Sequence, residues 1–125
     1  YFVSGNSSII KADLNSFKIK EEYPVPDEIA GMIQISFIDG YYYITVSTDK
    51  AGNQDAATII RTKDLKSLQS ADYEDVYSHF IGGGTPYYIS FFDNHYYLTE
   101  HRLPGHSIWS FQSQNGELTN IAGIY

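Results

Sequence analysis

Two stretches of the chain have similar sequences: FIDGYYYITVSTD at residues 37–49 and FFDNHYYLTEHRL at residues 91–103. With Phe37 placed on Phe91, residues 35–45 and 89–99 are identical at seven of eleven positions. Each copy is predicted to form a hairpin, because Asp39-Gly40 and Asp93-Asn94 are typical of tight two-residue turns. A repeated hairpin at this spacing predicts a repeat architecture.

A second pair of segments extends the repeat. SSIIKADLNSF at residues 7–17 matches ATIIRTKDLKSL at residues 57–68, with the Ile-Ile pair and the Asp-Leu step in both. Upstream, YFVSGN at residues 1–6 corresponds to ITVSTD at residues 44–49. We therefore expect one domain or fragment of three units, with approximate bounds 1–26, 31–80 and 85–125, the first of which begins partway through.

Each complete unit is predicted to hold four short strands, A to D in chain order. The predicted strands of the second unit are residues 32–38, 41–47, 57–62 and 69–79. Those of the third unit are residues 87–92, 95–100, 107–112 and 117–124. No segment has sustained helical periodicity. The tyrosines of residues 41–43 and 96–97 alternate between the two faces of a strand, and we interpret them as packing residues.

Four antiparallel strands per unit, with glycine and aspartate turns and aromatic-rich strands, resemble the blades of a β-propeller. The resemblance implies an all-β fold of about two and three-quarter blades, as a partial or an assembling propeller. The alternative is a β-sandwich or meander that contains a duplicated hairpin. Since closed propellers have four to eight blades, we expect either a homo-oligomer or the remainder of a longer propeller as a partner.

The segments DGYYYITVS and TIIRTKDLKSL are also similar to five-bladed glycosidase-type propellers. Asp64-Leu65 matches that pattern, whereas Leu68 stands where a tryptophan is common. This resemblance implies an alternative function, as part of a glycoside-hydrolase-like enzyme, which needs two carboxylates about 5–10 Å apart. The possible contributors are Asp27, Glu28, Asp49 and Glu100.

Composition narrows the function classes. The 125 residues are 42% hydrophobic and 16% aromatic, with a formal net charge of −7 and eight scattered Lys and Arg. A nucleic acid or an anionic membrane needs a concentrated basic face, so neither is an expected partner. No apolar run is long enough to span a bilayer. The chain has no cysteine, which is compatible with several compartments, and we favour a bacterial extracellular or periplasmic location.

The predicted strand order gathers the long connections at one end of the units. These are the D–A loops at residues 24–31 and 80–86 and the B–C loops at residues 48–56 and 101–106. Loops longer than a turn requires are where binding residues concentrate. The candidate ligand-binding residues at this end are Asp49, Asp55, His79, Glu100, His101, Arg102 and His106.

The predicted function is therefore a noncatalytic binding or scaffolding module for a carbohydrate or protein ligand, and no cofactor is expected. A metal site is not predicted, because His101 and His106 are a weak pair and Asp49, Asn53 and Asp55 read as a turn. Glu100 is an exception within the repeat, since the second unit has Val46 at the same position. Such exceptions often mark function.

Overall fold

The computed structural model describes residues 2–4, 8–76, 85–102, 105–114 and 117–124. Its strands form three antiparallel sheets, each built from one continuous stretch of the chain. The first sheet contains β1 (Phe2–Ser4), β2 (Ser8–Ala12) and β3 (Ile19–Pro24). The second contains β4 (Gly31–Ile38), β5 (Tyr41–Thr48), β6 (Thr58–Thr62) and β7 (Glu74–Asp75). The third contains β8 (Thr85–Phe92), β9 (His95–Arg102), β10 (Gly105–Gln114) and β11 (Glu117–Ile124). The predicted all-β class is confirmed.

Both predicted hairpin turns are formed, and their backbone explains the residues found there. Asp39 and Gly40 have φ values of 52° and 81°, and Asp93 and Asn94 have φ values of 51° and 62°. Two consecutive residues with positive φ are the requirement of a type I′ turn, which matches the twist of the flanking strands. Gly, Asn and Asp tolerate this backbone better than other residues.

The prediction of a strand at residues 69–79 was wrong in its described part. A 3₁₀ helix occupies Leu65–Ser70, and only Glu74–Asp75 form a strand there. The Asp64 side chain caps the helix by accepting from the Lys66 N–H at 3.0 Å. Leu65 and Leu68 lie three residues apart, the spacing that aligns side chains on a 3₁₀ helix, and both are buried. Burial of these two leucines favours the helix over a continuous strand.

The predicted loop at residues 101–106 was also wrong. Strand β9 continues to Arg102 and β10 begins at Gly105, with Arg102 opposite Gly105 and His101 opposite His106. Residues 103 and 104, between the two strands, lie outside the described residues. Of the predicted connection at residues 80–86, residues 80–84 lie outside the described residues, and Thr85 and Pro86 begin β8. The predicted connections at residues 24–31 and 48–56 agree with the structure. They contain the 3₁₀ helices Asp27–Ile29 and Gln54–Ala56.

The second sheet is packed on both faces, and alternation along its strands explains how. Adjacent tyrosines divide between the two sides: Tyr43 lies in the core shared with the third sheet, while Tyr42 packs on the core shared with the first. The same division separates Ile59 from Ile60, both fully buried. The third sheet contributes Ile89, Tyr96, Leu98, Trp109 and Phe111 to its core. The packing interpretation of these tyrosines fits their positions.

Polar side chains also join the second sheet to the third. The Thr45 hydroxyl donates to the Tyr87 carbonyl at 2.7 Å, and the Ser36 hydroxyl donates to the Ile89 carbonyl at 3.1 Å. The Ile89 N–H donates to the Gln34 side chain at 2.8 Å. These bonds reach the edge strand β8, whose backbone groups would otherwise lack ladder partners on that side. In the part of the chain described above, no helix has the length and apolar character needed to cross a bilayer.

Candidate functional site

A cavity of about 250 Å³ opens at the end of the second sheet where the connections before β4 and before β6 meet. We call it the end pocket. The residues that line it are Glu28, Ile29, Asp55, Ala56, Ala57, Thr58, Ile60, Tyr73 and Asp75. It lies between two of the connections in which the sequence predicts binding residues, so we treat it as the candidate site.

Contacts between the two connections shape the end pocket. The Lys50 N–H donates to the Asp27 carbonyl at 2.8 Å, which joins the loop after β5 to the segment after β3. The Lys50 ammonium also lies 3.7 Å from an Asp27 carboxylate oxygen. Both side chains are mostly exposed, so this ion pair contributes little to stability. The backbone hydrogen bond is the stronger link between the two connections.

Local hydrogen bonds fold the β5–β6 connection and bring Asp55 to the pocket. Oδ1 of Asp49 accepts from the Ala51 and Asn53 N–H groups, both at 2.9 Å. Oδ1 of Asn53 in turn accepts from the Asp55 N–H at 3.0 Å and caps the following 3₁₀ helix. Asp49 is thus a loop-shaping residue in this structure, whereas Asp55 lines the pocket. The predicted Asx-rich turn is formed.

The polar lining of the end pocket is acidic. The Tyr73 hydroxyl donates to Oε1 of Glu28 at 3.2 Å, and the Thr58 hydroxyl donates to Oδ1 of Asp75 at 2.7 Å. With Asp55, the described lining residues include three carboxylates, and none of these residues is Lys, Arg or His. An ionised carboxylate accepts hydrogen bonds and has none to donate. A ligand that fits this lining must therefore bring donors.

The environment of Tyr73 reflects the same negative field. Burial, followed by the charge of Glu28 and the hydrogen bond to it, raises the pKa of Tyr73 to about 12. Asp75 adds a smaller effect in the same direction. Each of these causes disfavours the phenolate, the first because it removes water and the others because they place negative charge nearby. The phenol therefore remains a neutral donor at physiological pH.

The raised pKa of Tyr73 predicts how stability depends on pH. Between about pH 10 and pH 12 the unfolded chain loses the Tyr73 proton while the folded chain keeps it. The free energy of unfolding should therefore fall with rising pH in this window, and it should fall less steeply in Tyr73→Phe. Urea unfolding at several pH values measures both slopes. Equal slopes would contradict the burial of this hydroxyl beside Glu28.

The remaining described candidates belong to the third sheet. Glu100 is only 1% exposed, and its Oε1 accepts from Trp109 Nε1 at 2.8 Å. The His101 ring stacks on Tyr87 with a centroid separation of 6.3 Å. Arg102 ends β9 and His106 lies in β10. His79 lies outside the described residues.

The structure thus brings one sequence candidate, Asp55, into the end pocket beside Glu28, which the sequence suggested only as a glycosidase acid. Three polar residues of the described lining were not predicted: Thr58, Tyr73 and Asp75. Tyr73 and Asp75 fall in the segment predicted as one long strand, and their position depends on the 3₁₀ helix before them. Within the described ranges, no three His, Cys, Asp or Glu side chains are arranged to hold a metal ion.

No protein-family model, curated protein or solved structure matches this chain. Its function must therefore be inferred from the geometry of the end pocket and from the packing of the three sheets.

Proposed function

We propose that the chain is a noncatalytic binding module made of β-propeller blades, and that its ligand site is the end pocket. Three antiparallel sheets, each from a consecutive stretch of chain and packed face to face, are the arrangement that a run of blades requires. The ligand face is the end of the sheets where the connections before β4 and β6 lie. The hydrogen bond between Thr45 and Tyr87 joins the second sheet to the third near this end. The same end of the third sheet carries Thr85 and, opposite it, His101. We therefore include His101, Arg102 and His106 in the ligand face.

The observation that carries the proposal is the chemistry of the end pocket lining. Its three carboxylates accept hydrogen bonds, and the Tyr73 hydroxyl is already directed to Glu28. A carbohydrate would supply donors but would leave the charges of Glu28, Asp55 and Asp75 uncompensated as water leaves. A Lys or Arg side chain supplies both donors and positive charge. We therefore favour a protein ligand that inserts a basic side chain.

A packing role for Glu100 also supports a noncatalytic module over the glycosidase alternative. A glycosidase acid must reach a bond of its substrate, and its partner carboxylate must lie across the same pocket. Glu100 is enclosed and accepts from Trp109 within the third sheet. The carboxylates of the end pocket are Glu28, Asp55 and Asp75 instead.

Peptide titration tests the proposal. The probes are the tripeptides Gly-Lys-Gly and Gly-Arg-Gly, with the neutral sugar maltotriose as the comparison. We expect the basic peptides to shift the amide resonances of Ala57 and Thr58, and the shifts to weaken as salt rises to about 0.5 M. Asp55→Asn should weaken peptide binding about twofold to fivefold, the size of an exposed ion pair.

Asp72→Asn is the matched control, because Asp72 is an exposed carboxylate near the pocket that does not line it. It should leave binding unchanged. Saturable shifts with maltotriose that survive Asp55→Asn would replace the basic ligand with a carbohydrate. Equal losses in Asp55→Asn and Asp72→Asn would show a general charge effect and would overturn the assignment of the site.

A further inference from the structure

The third sheet has an outer face that corresponds to the face of the second sheet that the third sheet covers, and several of the corresponding residues are alike. Strand pairing sets the correspondence: Thr45 lies opposite Ile59, and Thr99 lies opposite Ile108. The repeat places Thr45 on Thr99, so Ile59 corresponds to Ile108. The edge strands agree, since Ser36 corresponds to Ser90 and Ile38 corresponds to Phe92. These positions share side-chain orientation as well as sequence.

Exposure separates the two faces. Ile59 is 0% exposed and Ile38 is 8% exposed, because the third sheet packs on them. Their counterparts Ile108 and Phe92 are 49% and 74% exposed. Tyr88, on the same outer face, is 56% exposed. An apolar face with this pattern is typical of an interaction surface.

Two of the three polar side chains that bond β8 across the buried interface have counterparts of the same type on the outer face, whereas Tyr88 stands at the position of the third, Gln34. Thr45 and Ser36 donate to carbonyls of β8, the edge strand of the neighbouring sheet. Thr99 and Ser90 are the same residue types at the corresponding positions. The described strands of the first sheet, β1, β2 and β3, include no counterpart of β8, so the apolar residues are the part of this interface that a first sheet can receive.

The first sheet has the complementary open face. Ile10 is partly exposed, whereas its counterpart in the second sheet, Ile60, is 0% exposed because the first sheet covers it. Its neighbour Ile9 is 0% exposed and faces the second sheet. The stack of described sheets thus has one open face on each side, and each of these faces corresponds to one side of an interface between two of the sheets.

We infer that the outer face of the third sheet docks on the open face of the first sheet of a second copy of this chain. This inference rests on the proposed propeller architecture, because it continues the same stacking between copies. An interface between unlike faces closes only if the rotation completes a ring. Closed propellers have four to eight blades, so two copies of three sheets are the combination that falls in this range. The expected assembly is a dimer with two equivalent interfaces.

Sedimentation equilibrium of the full chain over a range of concentrations tests the inference. We expect a species of twice the 14.2 kDa chain mass. Ile108→Lys should raise the dimer dissociation constant roughly a hundredfold or more, since it would replace an apolar side chain of the interface with a charged one. Ser70→Lys, on the exposed end of a 3₁₀ helix, should leave it unchanged.

A folded monomer at all concentrations, or a dimer that tolerates Ile108→Lys, would overturn the second copy as the occupant. A monomer would instead assign the outer face to another part of a longer chain or to another protein. The ligand proposal is tested separately, because the tripeptide titration reports on the end pocket, which is lined by residues outside the third sheet. A monomer that still binds the basic tripeptides would overturn this inference alone.

Discussion

Trp109→Ala should destabilise the chain by about 3–5 kcal/mol, the cost of truncating a buried aromatic side chain. Trp109 is 2% exposed and lies in the core between the second and third sheets. Its ring extends across Gly123 on β11, where any Cβ would overlap the indole. Because the ring lies between two sheets, the surrounding strands cannot easily move together to fill the cavity that the substitution leaves. Chemical unfolding monitored by far-ultraviolet circular dichroism measures the loss.

Ile108, the residue before Trp109, provides a matched control for Trp109→Ala. Ile108 lies on the same strand but on the opposite face, and it is 49% exposed. Ile108→Ala should cost about 1 kcal/mol or less at concentrations where the chain is monomeric. Similar costs for the two substitutions would contradict the assignment of Trp109 to the buried face. They would also contradict the strand register of β10, because a shift of one residue exchanges the two faces.

Local turn chemistry and the repeat made much of the fold predictable. Asp39-Gly40 and Asp93-Asn94 specify a turn by their own backbone preferences, so both hairpins follow from the sequence. The 3₁₀ helix was missed because Leu65 and Leu68 span a single turn, which is too short for a periodic signal. The connection at residues 101–106 was predicted to be longer than it is. Its Pro-Gly pair is typical of a loop, but the strands continue to within two residues of each other.

The candidate site was less predictable than the fold, because it depends on contacts between distant residues. The sequence indicated the end of the second sheet at which the end pocket lies, and one lining residue, Asp55. Tyr73 reaches Glu28 from 45 residues away, and that contact requires the 3₁₀ helix to be in place. The sequence shows that Glu100 is an exception to the repeat, but it does not show that Trp109 is the partner of the carboxylate. Trp109 is nine residues away in sequence and becomes a neighbour only through the β9–β10 pairing.

The pair of Glu100 and Trp109 is a coordinated exception to the repeat. At the corresponding positions of the second sheet stand Val46 and Ile60, both fully buried in an apolar core. The third sheet replaces both residues together, and the carboxyl introduced at one position accepts the indole N–H introduced at the other. A buried polar group is tolerated where its partner is present and is costly where the partner is missing.

Glu100→Val should therefore destabilise the chain by about 1–3 kcal/mol, because it leaves the indole N–H of Trp109 without this buried acceptor. In a Trp109→Phe background, which keeps an aromatic ring but removes the N–H, the same substitution should cost less by about 1 kcal/mol or more. Unfolding of the native chain, both single variants and the double variant gives this difference. An unchanged cost of Glu100→Val in the two backgrounds would mean that the two residues are buried side by side without depending on each other. The exception to the repeat would then require a different explanation, such as a function for the Glu100 carboxyl itself.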